Sequence, residues 1–176
     1  MNVLLLTGKE NHGKTSTLKL LYKEHFKILL PIEYTIEGAD KKDFSTVFNY
    51  EDKIIAIYSV GDEAQYVDFA IENYSSFKVN GKEIKIDILI LAHRTKIQLP
   101  KEIPIASKLP EYPKKHNVVD YPNIELITKV IKKGSSVLDV NNMTNEEKDE
   151  CNKSNRDYAR KLYKIASEIN LAFIKF

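Results

Sequence analysis

The stretch VLLLTGKENHGKTSTLKLL, near the beginning of a chain of 176 residues, limits the possible folds more than any other part of the sequence. Val3 to Leu6 are uniformly apolar and end at Thr7-Gly8, as in a strand buried on both faces. After Lys14 the period changes. Leu18, Leu21, Tyr22, His25 and Phe26 fall at i, i+3, i+4, i+7 and i+8, one face of a helix running to about Lys27, and Pro31 ends any continuation. A doubly buried strand that turns through glycines straight into a helix is an α/β beginning.

The connecting GKENHGKT fits G-x-x-x-x-G-K-[ST] at every defined position. Gly8 and Gly13 let the backbone curl so that successive N–H groups can point at phosphate oxygens. Lys9, Glu10, Asn11 and His12 form the body of the loop, with His12 expected to be exposed. Lys14 brings a mobile positive charge for β- and γ-phosphates, and the Thr15 hydroxyl can take one site on Mg²⁺, a cation that prefers oxygen ligands. Ser16 completes the contact set at the helix start. Only 6 of the 176 residues are glycine. Against an average usage of ~7%, two of them falling in one motif is informative.

On these residues the chain resembles the P-loop NTPase superfamily over its first strand, loop and helix. The resemblance implies a three-layer α/β sandwich with a mainly parallel central sheet, a bound nucleoside triphosphate with Mg²⁺, and the roles just given for Lys14 and Thr15.

Downstream, Phe44, Thr46, Phe48 and Tyr50 alternate with smaller or polar residues, which predicts a half-exposed antiparallel edge strand. A short connection at Glu51-Asp52 leads to a buried-type run, Ile54 to Val60. Asp62 with Gln65 resembles a capping box, opening a helix whose buried stripe is Val67, Ala70, Ile71 and Tyr74. Asn80-Gly81 marks a turn, and Ile84 to Ala92 reads as a central strand. Five of six prolines lie between His93 and Pro122. Their density forbids a long helix or central strand and suggests a lid or insert. Ile124 to Lys132 is rich in β-branched residues, as in a strand. Thr144 and Glu147 form a capping box for a long polar helix reaching about Ile169, buried through Ala159, Leu162, Ala166 and Ile169. LAFIKF could be a last edge strand. One domain over residues 1–176, with the insert at about 93–122, accounts for this order.

A complete NTPase also needs an acid for Mg²⁺ and a group that orients the nucleophile. Ser59 ends its apolar run where the superfamily usually has Asp, and Asp62 and Glu63 follow beside Gly61. Asp62 is the candidate for Mg²⁺ or water positioning, its alternative role being a helix N-cap. Glu63 and Gln65 are candidates for orienting water. Asp87 stands at the beginning of its strand, the wrong end for a ligand, and reads as structural. Arg94 emerges at the carboxyl end of that strand, where a cation could clamp phosphate. TKIQ, Thr95 to Gln98, nearly matches a guanine-reading motif but ends without a carboxylate, and TKVIKK from Thr128 fails likewise. ATP is therefore preferred to GTP.

Charge and composition narrow the remaining classes. A formal net charge of +2 is too balanced to call for nucleic acid or an anionic membrane. No apolar run approaches the ~20 residues of a membrane span. No charged leader precedes VLLL and Cys151 is alone, which fits a cytoplasmic protein without disulfides. His12, His25, His93 and His116 have no metal-ligand spacing, and His25 reads as a packed residue of the first helix. The expectation is ATP and Mg²⁺ binding with slow hydrolysis. One alternative is a small-molecule kinase that closes the 93–122 segment over a phosphoryl acceptor. The other is a nucleotide-gated partner of another protein, without turnover.

Overall fold

In a computed structural model the described residues are 1–8, 11–26, 31–37, 41–61, 64–94, 128–132 and 143–173. The expected insert at about 93–122 lies outside them, apart from His93 and Arg94 at the end of a strand. So do the last three residues of LAFIKF, at 174–176.

Among the described residues, eight strands and three helices follow in the order β1 Asn2–Gly8, α1 Lys14–Leu20, β2 Pro31–Glu37, β3 Asp43–Tyr50, β4 Lys53–Tyr58, α2 Ala64–Ser75, β5 Lys78–Val79, β6 Lys82–Glu83, β7 Ile88–Arg94, β8 Thr128–Lys132 and α3 Asn145–Phe173. The helix begun by α1 continues through a π-helical turn, Leu21–Phe26, and so covers the expected span.

Six strands form one mixed sheet in the order β2-β3-β4-β7-β1-β8. The pairs β4–β7, β7–β1 and β1–β8 are parallel, while β2–β3 and β3–β4 are antiparallel. The one reversed strand, β3, is therefore not an edge strand. β2 lies outside it, and β3 is buried from Phe44 to Phe48 rather than half exposed. Sequence alternation misled here because the partner strand PIEYTIE carries its own polar residues, so the exposure expected of β3 falls on β2 instead. Tyr34 and Ile36 on β2 are 49% and 59% exposed.

Two further expectations are corrected. The central strand begins at Ile88, because Ile84 N–H donates to Phe77 C=O beside the small β5–β6 hairpin built on Asn80-Gly81. Leu171 to Phe173 continue α3 rather than forming a strand. The capping box that starts α3 is present in both directions. Thr144 N–H donates to Glu147 Oε2 at 2.7 Å, and Glu147 N–H donates to Thr144 Oγ1 at 3.2 Å. The tight connection from Tyr50 to Lys53 forms without Asn-Gly, Glu51 itself taking a φ of 55°.

Helices cover both faces of the sheet. On one side α2 sets Ala70, Ile71 and Tyr74 against Val3, Leu5, Ala56, Tyr58, Leu89 and Leu91. On the other, α1, its π-helical turn and α3 pack Leu18, Phe26, Ala159, Leu162 and Ala166 on Leu4, Leu6, Phe48, Ile57 and Ile90. Alternate residues of β1 thus enter opposite cores, which is why its sequence is continuously apolar. Each such Leu, Ile or Phe contributes about 1.5–3 kcal/mol on burial. Among the described residues no helix is long and apolar enough to cross a membrane.

Candidate functional site

The site lies where β1 runs into α1, at the edge of the sheet formed by the carboxyl ends of β1, β4 and β7. Gly13, the N-cap of α1, takes the left-handed conformation with φ 71° and ψ 28°, as a glycine can without a Cβ penalty. Asn11 is also left-handed, with φ 56°. Together they bend the chain back over the end of β1. Lys14 then reaches across the loop, and its Nζ donates to the Gly8 carbonyl at 3.0 Å. Lys14 is buried, with 8% exposure, so that carbonyl helps offset the cost of desolvating a charge. His12 is also buried, contrary to the exposure expected of it.

The first turn of α1 is anchored from two sides. Thr17 Oγ1 donates to the Gly13 carbonyl at 2.8 Å and lies 3.3 Å from Asn155 Oδ1 of α3. On the other side, Thr15 Oγ1 donates to Asp43 Oδ1 at 2.8 Å. The same carboxylate oxygen accepts from Ser59 Oγ at 2.9 Å. Ser59 is itself fixed by the β3–β4 ladder, since its Oγ accepts from Phe44 N–H at 2.8 Å and its N–H donates to the Phe44 carbonyl at 3.0 Å. The hydroxyls of Thr15 and Ser59 and the carboxylate of Asp43 thus meet at the open end of the sheet.

The other candidates are distributed differently. β4, which ends at Tyr58 just before Ser59, is not adjacent to β1. β7 lies between them, so Gly61, just after β4, is one strand farther from the loop than the end of a neighbouring strand would be. Gly61 is needed for close approach, because a Cβ there would stand 1.9 Å from the Ala92 carbonyl oxygen. Asp62 and Glu63 lie outside the described residues, as do Lys9 and Glu10 and the side chain of Gln65, whose backbone belongs to α2. The backbone of Arg94 is in register with Gly8, level with the entry to the loop, and its side chain is outside the described set. Ser16 is exposed on the first turn of α1. Asp87 is structural, as its position suggested: its Oδ2 accepts from Ile54 N–H at 3.0 Å at the opposite end of the sheet. His25 stacks on Tyr163 with ring centroids 4.6 Å apart.

Asp43 and Asn155 are the residues that sequence reasoning missed. Asp43 opens β3, a strand whose direction is reversed. Its amino-terminal end therefore lies at the same edge as the carboxyl ends of the parallel strands. A search confined to strand carboxyl ends passes over it. Asn155 offers no local signal, since its partner Thr17 is 138 residues away.

Chemically, the loop offers a buried ammonium and a hydroxyl–carboxylate pair with oxygen donors only. Such a donor set suits a hard cation such as Mg²⁺. Thr15 gives its hydroxyl proton to Asp43, which leaves the lone pairs of its oxygen for a metal. Among the described residues no three His, Cys, Asp or Glu cluster as a metal-binding group. A metal here would therefore be shared between these few oxygens and its ligand, the usual habit of Mg²⁺ with phosphates. Comparison with protein-family models, with curated proteins and with solved structures finds no match for this chain.

Proposed function

We propose that the chain binds a nucleoside triphosphate, ATP in preference to GTP, together with Mg²⁺ in the loop between β1 and α1, and hydrolyses it slowly. The observation that carries this reading is the contact of Thr15 with Asp43 beside the loop-spanning Lys14. A loop motif alone offers a cradle for phosphate. A cradle whose threonine already faces a carboxylate also offers the oxygens that Mg²⁺ needs. The sheet adds support, since four of its strands run parallel with the loop at their carboxyl ends, as the P-loop resemblance implies.

In this reading Lys14 exchanges the Gly8 carbonyl for β- and γ-phosphate oxygens and offsets their charge. Thr15 and Asp43 would hold Mg²⁺, which when bound would withdraw charge from the same phosphates. Hydrolysis breaks the bond between the γ-phosphorus and the β–γ bridging oxygen as a water oxygen bonds to phosphorus, and the water proton passes to solvent or phosphate. Arg94, in register with Gly8, is the candidate for charge on the phosphoryl group. The preference for ATP rests on the missing carboxylate in TKIQ.

The test is titration of the purified chain with ATP and with GTP in Mg²⁺, read by calorimetry and thermal shift, followed by phosphate release. Wild type is expected to bind ATP more tightly than GTP. Lys14→Ala is expected to weaken ATP binding about 10- to 100-fold, as loss of a charge-assisted hydrogen bond would. No response to either nucleotide refutes the reading.

A further inference from the structure

We propose that the acid serving the metal in this chain is Asp43, at the start of β3, and that Ser59, at the end of β4, is the residue that positions it. This rests on the reading of the loop as a triphosphate·Mg²⁺ site and assigns the part of that site which its motif does not contain.

Three observations carry it. The first is strand direction. β3 is antiparallel to β4, and Ser45 pairs with Tyr58. The beginning of β3 and the end of β4 therefore lie side by side at the ligand edge, and either can present a side chain there. The second is the hydrogen-bond pattern. Asp43 Oδ1 accepts from both Thr15 and Ser59, while the Ser59 oxygen accepts from Phe44 N–H. Phe44 N–H turns the serine hydroxyl outward, the hydroxyl fixes the carboxylate, and the carboxylate fixes the threonine.

The third observation is what stands at position 59. Ser59 is 3% exposed. A carboxylate at 59 would put a second negative charge about a hydrogen-bond length from Asp43 in a buried position, where two carboxylates do not both stay ionised. A hydroxyl satisfies the Phe44 N–H and donates to Asp43 at once. Serine at 59 and aspartate at 43 are therefore two halves of one arrangement: the charge sits on β3 and its hydrogen-bond donor on β4.

If so, the carboxylate and its orienting partner can be exchanged between the two strands. The experiment measures ATP affinity of the full chain by calorimetry in excess Mg²⁺ and in EDTA, and takes the ratio as the metal dependence of binding. Asp43→Asn is expected to lower the ratio at least about tenfold while affinity in EDTA is retained. Ser59→Ala is expected to lower it about tenfold, the smaller end of the range for residues that orient metal ligands. Ser59→Thr, which keeps a hydroxyl, should hold it within about threefold of wild type. The double variant Asp43→Asn/Ser59→Asp should recover most of what Asp43→Asn loses.

A ratio unchanged in Asp43→Asn overturns the assignment of the acid. A ratio unchanged in Ser59→Ala overturns the positioning role, and a double variant no better than Asp43→Asn overturns the equivalence of the two positions. If Asp43→Asn does not fold, as judged by its melting curve without nucleotide, Ser59→Ala and its threonine counterpart decide the matter. Wild type that binds ATP through Lys14, but with a ratio indifferent to residues 43 and 59, refutes this inference alone. Wild type that binds no nucleotide in either buffer refutes the loop reading and this inference together.

Discussion

At the scale of single residues, the site depends on contacts that tolerate little change. Gly61 is the plainest case. An added Cβ would meet the Ala92 carbonyl oxygen at 1.9 Å and the His93 Cα at 3.0 Å, both backbone atoms with no rotamer to yield. Gly61→Ala is expected to cost about 3 kcal/mol, the upper part of the range for overpacked positions, as a lower denaturant midpoint at constant slope. Its importance was only half legible in the sequence. The glycine was noticed beside Asp62 and Glu63, but what it must avoid belongs to a strand some thirty residues later. Lys14 is the opposite case. Its partner, the Gly8 carbonyl, lies six residues away within the same motif, so this contact is local.

At the scale of elements, α3 has the clearest start signal and gives the clearest test. Its capping box joins Thr144 and Glu147 in both directions at an exposed helix start. Thr144→Ala is expected to lower stability by about 1 kcal/mol, with Thr144→Ser close to wild type, as measured by urea unfolding. Capping boxes, apolar stripes and glycine loops are local, which is why α1, α2 and α3 were all foreseen. The strands were foreseen less well. β3 was recognised as a strand yet assigned to the edge, because alternation reports a half-buried face without saying which neighbour covers the rest. β2 was not foreseen. Its run PIEYTIE is short and begins with a proline, and it becomes a strand by pairing with β3 across a bulge between Pro31 and Glu33.

At the scale of the whole molecule, the two helical layers are held to the sheet by contacts between distant parts of the chain. One of them can be followed by pH. Tyr50 of β3 and Tyr163 of α3 share a hydrogen bond at 2.8 Å. That bond, together with burial, pushes the Tyr50 hydroxyl from its ordinary 10.0 up to about 12. Because the folded value is the higher one, the contribution is fully present below the unfolded value. It is lost as pH rises through the folded value. Wild type is therefore expected to exceed Tyr163→Phe in stability by a constant margin up to about pH 9.5, and the margin should shrink toward about pH 12. A margin that is flat over this range in parallel urea titrations would contradict the assignment. Arg156 of α3 and Glu24 of the π-helical turn after α1, paired at 3.0 Å, tie those two helical segments together, but at an exposed position where such pairs contribute little.

By itself the sequence determined what short-range forces determine. The apolar run Val3 to Leu6, the glycines of GKENHGKT and the periodic helix after them fix a strand, a loop and a helix within one span of chain, and with them the location of Lys14 and Thr15. Only the tertiary structure decided which acid faces that threonine. Asp43 is 28 residues from Thr15 and begins a strand that runs against its parallel neighbours. The residues around Asp43 do not encode that reversal. It follows from the pairing of β3 between β2 and β4, and such pairing is a property of the assembled sheet. A side chain at the start of a strand points toward the loop edge of the sheet only once its direction among its neighbours is fixed.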